Sequence, residues 1–159
     1  MRIAELEVKE LAKAKNTAYR ILTYRPRSIK ELETKLREKE YSDCIIAAVI
    51  DHCTRLGYLD DARFAMQWAA SRVRYRSLGK RRIEQELKLK GIDRLVIQQA
   101  LQEAIPEQDE RDAARNAAEK KLRTMTSIDP QARKRRLAGF LERKGFTPDI
   151  IWSLLNEVR

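Results

Sequence analysis

Histidine occurs once in the 159 residues, at position 52, and cysteine twice, at positions 44 and 53. One imidazole and two thiols nine residues apart fit no zinc or redox spacing, so neither a metal site nor a disulfide framework is expected. Only 5 glycines and 4 prolines interrupt the chain, and none sits in a phosphate-cradling glycine loop. β-Branched residues are also few, while Ala, Leu, Lys, Arg, Glu and Gln dominate, and these are the strong helix formers. An all-α protein follows. The longest aliphatic run, Ile45 to Ile50, is far too short to span a bilayer. The opening MRIAELEVKE mixes both charge signs and lacks the apolar core of a signal peptide. A cytoplasmic protein with reduced thiols and no membrane segment is expected.

Catalytic constellations are missing as well. Asp60-Asp61 is the one obvious carboxylate pair, but neighbours on a helix point about 100° apart and do not converge on one substrate atom. Both belong to a helix start, where acids cap free N–H groups and complement the dipole. No nucleophile has a plausible base, so the expectation is a non-enzyme without catalytic residues or cofactor.

What the chain has in excess is positive charge. Its 34 Lys and Arg against 24 Asp and Glu give a net charge of +10. Such a surface suits an acidic partner: nucleic acid, an anionic membrane or an acidic protein.

It also has a repeat. REKEYSDCII (37–46), KLKGIDRLVI (88–97) and ERKGFTPDII (142–151) share one pattern, offset by 51 and then 54 residues. Leu32 and Leu36 align with Ile83 and Leu87 and with Leu137 and Leu141. Tyr41, Ile92 and Phe146 follow, then the N-cap residues Ser42, Asp93 and Thr147. The next helix keeps one apolar face in each copy. Ile45, Ile46, Val49, Ile50 and Cys53 match Val96, Ile97, Ala100, Leu101 and Ala104, and then Ile150, Ile151, Leu154, Leu155 and Val158. In this register Cys53 is a small core residue, and His52 lies on the polar side. Gly91 and Gly145 end helices in the left-handed conformation; the first copy has Glu40 there, implying a different turn or strain of about 1 kcal/mol.

A further helix per copy, such as 60–75 with Phe64, Ala65, Trp68, Ala69 and Val73 on one face, completes three three-helix repeats. Nine helices are expected, at 9–24, 28–39, 42–56, 60–75, 79–90, 93–104, 107–124, 130–144 and 147–157. The repeats are placed at 16–56, 57–105 and 106–159, after an N-terminal extension at 1–15. Units of this size are marginal alone, so neighbours contribute to stability, and an elongated tandem array without a deep pocket is expected. Trp68 reads as core, and Tyr24 and Tyr75, equivalent under the repeat, read as packed between helices.

Basic residues recur in register too. Lys80-Arg81-Arg82 aligns with Lys134-Arg135-Arg136, and Arg72, Arg74 and Arg76 lead into the first triplet. Both triplets are expected in the first turn of a helix, where cations oppose the dipole and each costs about 0.3–1 kcal/mol. Repeating that cost suggests an anion site at the helix start. These nine residues are the candidate contacts for an anionic partner.

In RSIKELETKL (27–36), GYLDDARFA (57–65), GKRRIEQELKLKGI (79–92) and ERKGFTPDII (142–151), the chain resembles the RecX family, regulators of the RecA recombinase. The likeness covers nearly everything after residue 16. It departs at Gly79-Lys80, where family members commonly carry Gly-Pro. The resemblance implies tandem three-helix repeats that bind the RecA filament on single-stranded DNA and inhibit its ATPase, strand exchange and coprotease activity. It fits a monomer that acts as a multivalent clamp. The residues alone leave open an alternative, an autonomous DNA-binding protein of helix-turn-helix-like units, because the same arginines serve both.

Overall fold

The computed structural model describes residues 2–126 and 129–157, with side chains from residue 7 onward. Among them the chain is all-helical: α1 (Arg2–Tyr24), α2 (Ile29–Arg37), α3 (Asp43–Arg55), α4 (Asp61–Arg76), α5 (Lys80–Leu89), α6 (Arg94–Ala104), α7 (Glu107–Arg123), α8 (Pro130–Arg143) and α9 (Pro148–Glu157). Expected boundaries agree to within a few residues except at α1, which begins at Arg2 rather than near residue 9. That opening mixes charges but contains no glycine or proline, so nothing in it stops a helix.

Four helix starts carry the predicted caps. Ser28 and Glu31 form a complete capping box, while Ser42 accepts from Ile45 N–H and Asp93 from Leu95 N–H. Asp129 accepts from Gln131 and Ala132, with Pro130 opening α8. The acid pair splits its work between two helices. Asp60 accepts from Arg63 N–H at 2.9 Å in its own helix, whereas Asp61 accepts from Ile29 N–H at 2.9 Å. Gly91 and Gly145 take positive φ of 74° and 89°, and Glu40 takes 63°. The first turn is therefore built like the others and carries strain of about 1 kcal/mol.

The described chain divides into two compact units, one of residues 1–64 with 90–92, the other of 65–89 with 93–159. In the first, α1, α2 and α3 pack together around Ala14, Ala18, Leu32, Leu36, Ile45, Ile46, Val49, Cys53 and Leu59. In the second, α5 packs on α6 and α7, α8 and α9 pack on one another. Leu32, Leu36, Ile83, Leu87, Leu137 and Leu141 are all completely buried, as the repeat requires. Cys53 is equally buried; Val158 of the third stripe lies outside the described residues.

Three aromatic and imidazole expectations need correction. His52 is not free on a polar face: it is half-buried and bonds the Tyr19 hydroxyl at 2.6 Å. Trp68 is only half-buried, because its indole N–H donates to Glu86 at 2.9 Å and turns that edge toward a polar rim. Tyr24 and Tyr75 are not packed between helices but 85% and 73% exposed, since each lies in the last turn of its helix, pointing away from the apolar face.

In the first unit a polar cluster ties α2 to the turn at 90–92. Ser28 Oγ donates to the Lys90 carbonyl at 2.7 Å. Glu31 accepts from both Arg25 guanidinium nitrogens at 3.1 and 3.3 Å and from Lys90 Nζ at 2.7 Å. Burial pushes the Glu31 carboxyl up, but Arg25, Lys90 and the Ser28 N–H outweigh it and bring the pKa from 4.5 down to about 2. A depressed acid stabilises the fold above its unfolded pKa and loses that contribution as pH falls through its folded one. The difference in urea stability between the protein and Glu31→Gln is therefore expected to be full at pH 7 and to shrink as pH drops from 4.5 toward 2. A difference independent of pH would show that Glu31 does not hold this cluster.

Candidate anion-binding clefts

The second unit repeats the tie of the first, with backbone in place of side chain. Gly79, the counterpart of Ser28, donates its N–H to the Lys144 carbonyl at 2.9 Å, and Arg81 N–H donates to Gly145 at 3.1 Å. A Cβ at Gly79 would collide with the Gly145 carbonyl, so only glycine allows this approach. Lys80 N–H donates to Glu110 Oε1 at 2.9 Å, matching the Ile29–Asp61 bond of the first unit. A proline at position 80 could not make that bond. Glu110 is only 3% exposed, and the Lys80 ammonium stands 3.8 Å from it.

These bonds correct the expected anion site at the start of α5. The N–H groups of Gly79, Lys80 and Arg81 are already taken, and Arg82 N–H donates to Gly79 at 3.1 Å. The start of α8 is likewise closed by Asp129. Nor are both triplets in a first turn: α8 begins at Pro130, so Lys134, Arg135 and Arg136 fall in its second turn. The repeat aligned the apolar residues well, but Asp129-Pro130 lengthens this helix at its start.

The arginine and lysine side chains are what remains available, and the fold sorts them. Arg72 is held in place: its Nε donates to Glu86 at 2.8 Å and its guanidinium stacks 3.9 Å from the centre of Trp68. Lys80 is committed to Glu110. Arg74 is exposed with its guanidinium 5.5 Å from the Tyr75 ring, Arg81 is exposed, and Lys134 is half-buried. The others line two clefts.

The first cleft, of about 340 Å³, gathers Arg72, Arg76, Arg82 and Lys144 around Leu78 and Glu86. Lys144 Nζ donates to the Arg76 carbonyl at 2.8 Å, closing the end of α4. Burial, reinforced by the charges of Lys120 and Arg76, holds the Lys144 amine below its ordinary pKa. Glu86 partly neutralises this group through Arg72 and, at 3.8 Å, Arg82.

The second cleft, of about 360 Å³, lies along α7 and α8. It brings Arg135 and Arg136 to Lys121 and Arg143, over Thr124, Met125 and Gly139, with no carboxylate in its lining. The Phe140 ring takes an ammonium from each cleft, Lys121 at 5.5 Å and Lys144 at 5.7 Å. Lys121, Arg143 and Lys144 were not singled out from the sequence. Lys144 aligns with Lys90 in the repeated segments 88–97 and 142–151, and Arg143, two turns beyond Arg136 on α8, shares its face; Lys121 converges on them only through the packing of α7.

Held and available cations are separable by mutation. Arg72→Met removes a charge-assisted bond to a half-buried carboxylate and is expected to cost roughly 1.5–3 kcal/mol in urea denaturation. Arg81→Glu, at an exposed position, should stay within about 0.5 kcal/mol. Equal effects at the two positions would contradict the sorting.

Comparison with known proteins follows the three repeats. Family models described as the first, second and third three-helix domains of RecX match residues 14–53, 60–101 and 108–155. The chain is similar to the regulatory protein RecX of Mycolicibacterium smegmatis, 36% identical over 146 residues covering 90% of this chain and 78% of the relative. It is also similar to that of Mycolicibacterium vanbaalenii, 37% identical over 159 residues, 96% and 86% of the two chains. Its fold matches the crystal structure of RecX from Lactobacillus salivarius with a TM-score of 0.86 at 24% identity, over 95% of this chain and 97% of that one. With three tandem three-helix domains in order and relatives above 30% identity along most of its length, this chain belongs to the RecX family.

Proposed function

We propose that this protein is a non-catalytic inhibitor of the RecA recombinase. In this reading it binds the RecA filament on single-stranded DNA and suppresses its ATPase, strand-exchange and coprotease activities. Family membership supports the regulatory role. The observation that carries an anionic partner is the pair of basic clefts, which hold Arg72, Arg76, Arg82 and Lys144, and Lys121, Arg135, Arg136 and Arg143. A filament of protein and DNA offers acidic side chains and phosphates together, and several shallow contacts on one chain add up by effective concentration. No helix among the described residues is long and apolar enough to cross a membrane, and a cytoplasmic monomer acting on the filament is the simplest form of the proposal.

The test is RecA's single-stranded-DNA-dependent ATPase, titrated with this protein at fixed salt, beside a titration of bare DNA. Inhibition at ratios well below one per RecA, with weak binding to bare DNA, is the expected result. Tight binding to bare DNA with inhibition only at saturating coverage would mean competition for DNA and replace the proposal with an autonomous DNA-binding role.

A further inference from the structure

Mid-helix glycine is a poor choice for stability, because it gives up more backbone freedom on folding than any other residue. Gly139 nevertheless occupies the interior of α8, on the floor of the second cleft. A Cβ there would lie 3.3 Å from an Arg143 guanidinium nitrogen. The missing side chain lets Arg143 fold back over its own helix and keeps the space between Lys121, Arg135 and Arg136 open.

The donor set of this cleft is one-sided. Arg135, Arg136 and Arg143 have no carboxylate partner among the described residues, and Lys121 meets only the face of Phe140. The Thr124 hydroxyl donates to the Lys121 carbonyl at 2.7 Å, which orients it within the last turn of α7. The one apolar side chain in the lining, Met125, is itself 5% exposed and offers no ledge. A peptide backbone presents N–H donors as well as acceptors, and a lining of cations has little to accept them. A phosphodiester strand presents only acceptors and negative charge, and guanidinium groups match its oxygens in pairs.

We propose that the cleft between α7 and α8, formed by Lys121, Arg135, Arg136 and Arg143 over Gly139, binds consecutive backbone phosphates of single-stranded nucleic acid. The assignment refines the filament reading by giving this cleft to the DNA rather than to the recombinase. Phe140 connects it to the Lys144 cleft, so a strand leaving one set of cations meets the next.

The experiment uses the full chain and a labelled oligothymidylate, without recombinase, measured by fluorescence anisotropy over a range of salt concentrations. Each neutralised phosphate of a single strand contributes about 0.7 to the slope of log K against log salt. Arg135→Gln with Arg136→Gln should therefore lower that slope by about 1.4, whereas Lys35→Gln, a cation paired with Glu38 in the first unit, should leave it unchanged. Gly139→Leu fills the cleft without altering charge; it should weaken binding severalfold while raising the melting temperature. Unchanged affinity and slope in the double variant would overturn the assignment, as would displacement of the oligonucleotide by millimolar phosphate at constant ionic strength. If the double variant binds oligothymidylate normally but no longer inhibits the RecA ATPase, the cleft faces acidic protein, and this inference fails while the filament reading survives. If the wild-type protein does not inhibit the ATPase yet shows the expected slopes, the filament reading fails and the cleft assignment stands.

Discussion

Every helix begins with N–H groups that have no partner within the helix, and in this protein two such beginnings are completed by groups of a following repeat, a turn and an acid in each case. Ser28 and Ile29 at the start of α2 reach the Lys90 carbonyl and the Asp61 carboxylate. Gly79, Lys80 and Arg81 at the start of α5 reach the Lys144 carbonyl, Glu110 and the Gly145 carbonyl. The interaction is the same donor-to-acceptor arrangement twice, once through a serine hydroxyl and once through bare backbone. Glycine suits both turns: each has a left-handed φ, and a Cβ would collide with Lys30 at Gly91 and with Arg82 at Gly145. Three-helix units of this size bury little apolar surface alone, so a backbone bond to the next repeat contributes where the core cannot.

The clefts are a consequence of this arrangement. Drawing the α8–α9 turn against the start of α5 brings Lys144 beside Arg76 and Arg82, like charges that solvent would otherwise keep apart. The protein stabilises the crowd with one acid, Glu86, shared among Arg72, Arg82 and the Trp68 indole. It adds one helix end, the Arg76 carbonyl. Charge left over after those pairings is what an external anion would neutralise. Along α8 no acid among the described residues plays that part, and no carboxylate lines the cleft over Gly139.

Much of this was legible in the sequence because helical packing writes periodically. The buried stripes, the caps at Ser28, Ser42, Asp93 and Asp129, and the glycine turns all leave short-range signals, and they fixed the order of the helices. Pairings that arise only from packing left no such trace. Lys80 and Arg82 look alike as neighbours in a basic triplet, yet a buried Glu110 thirty residues away holds one and leaves the other exposed. Lys121 joins Arg135, Arg136 and Arg143 from a separate helix, and periodicity within α8 says nothing about that. The exposed Tyr24 and Tyr75 show the reverse failure: repeat equivalence reports a shared position, not a buried one.

Native-state hydrogen exchange tests most directly whether these helix starts are closed by groups of the following repeat. Amides in a first helical turn ordinarily exchange readily, since water is their partner. The first turn of α7 supplies the internal comparison, because Pro106 provides no side-chain cap for Gln108 and Asp109. The amides of Gly79, Lys80 and Arg81 should be protected to a degree approaching the Leu87 amide in the interior of α5, and Ile29 should behave alike in the first unit. Exchange of Gly79, Lys80 and Arg81 as fast as that of Gln108 and Asp109 would contradict the account.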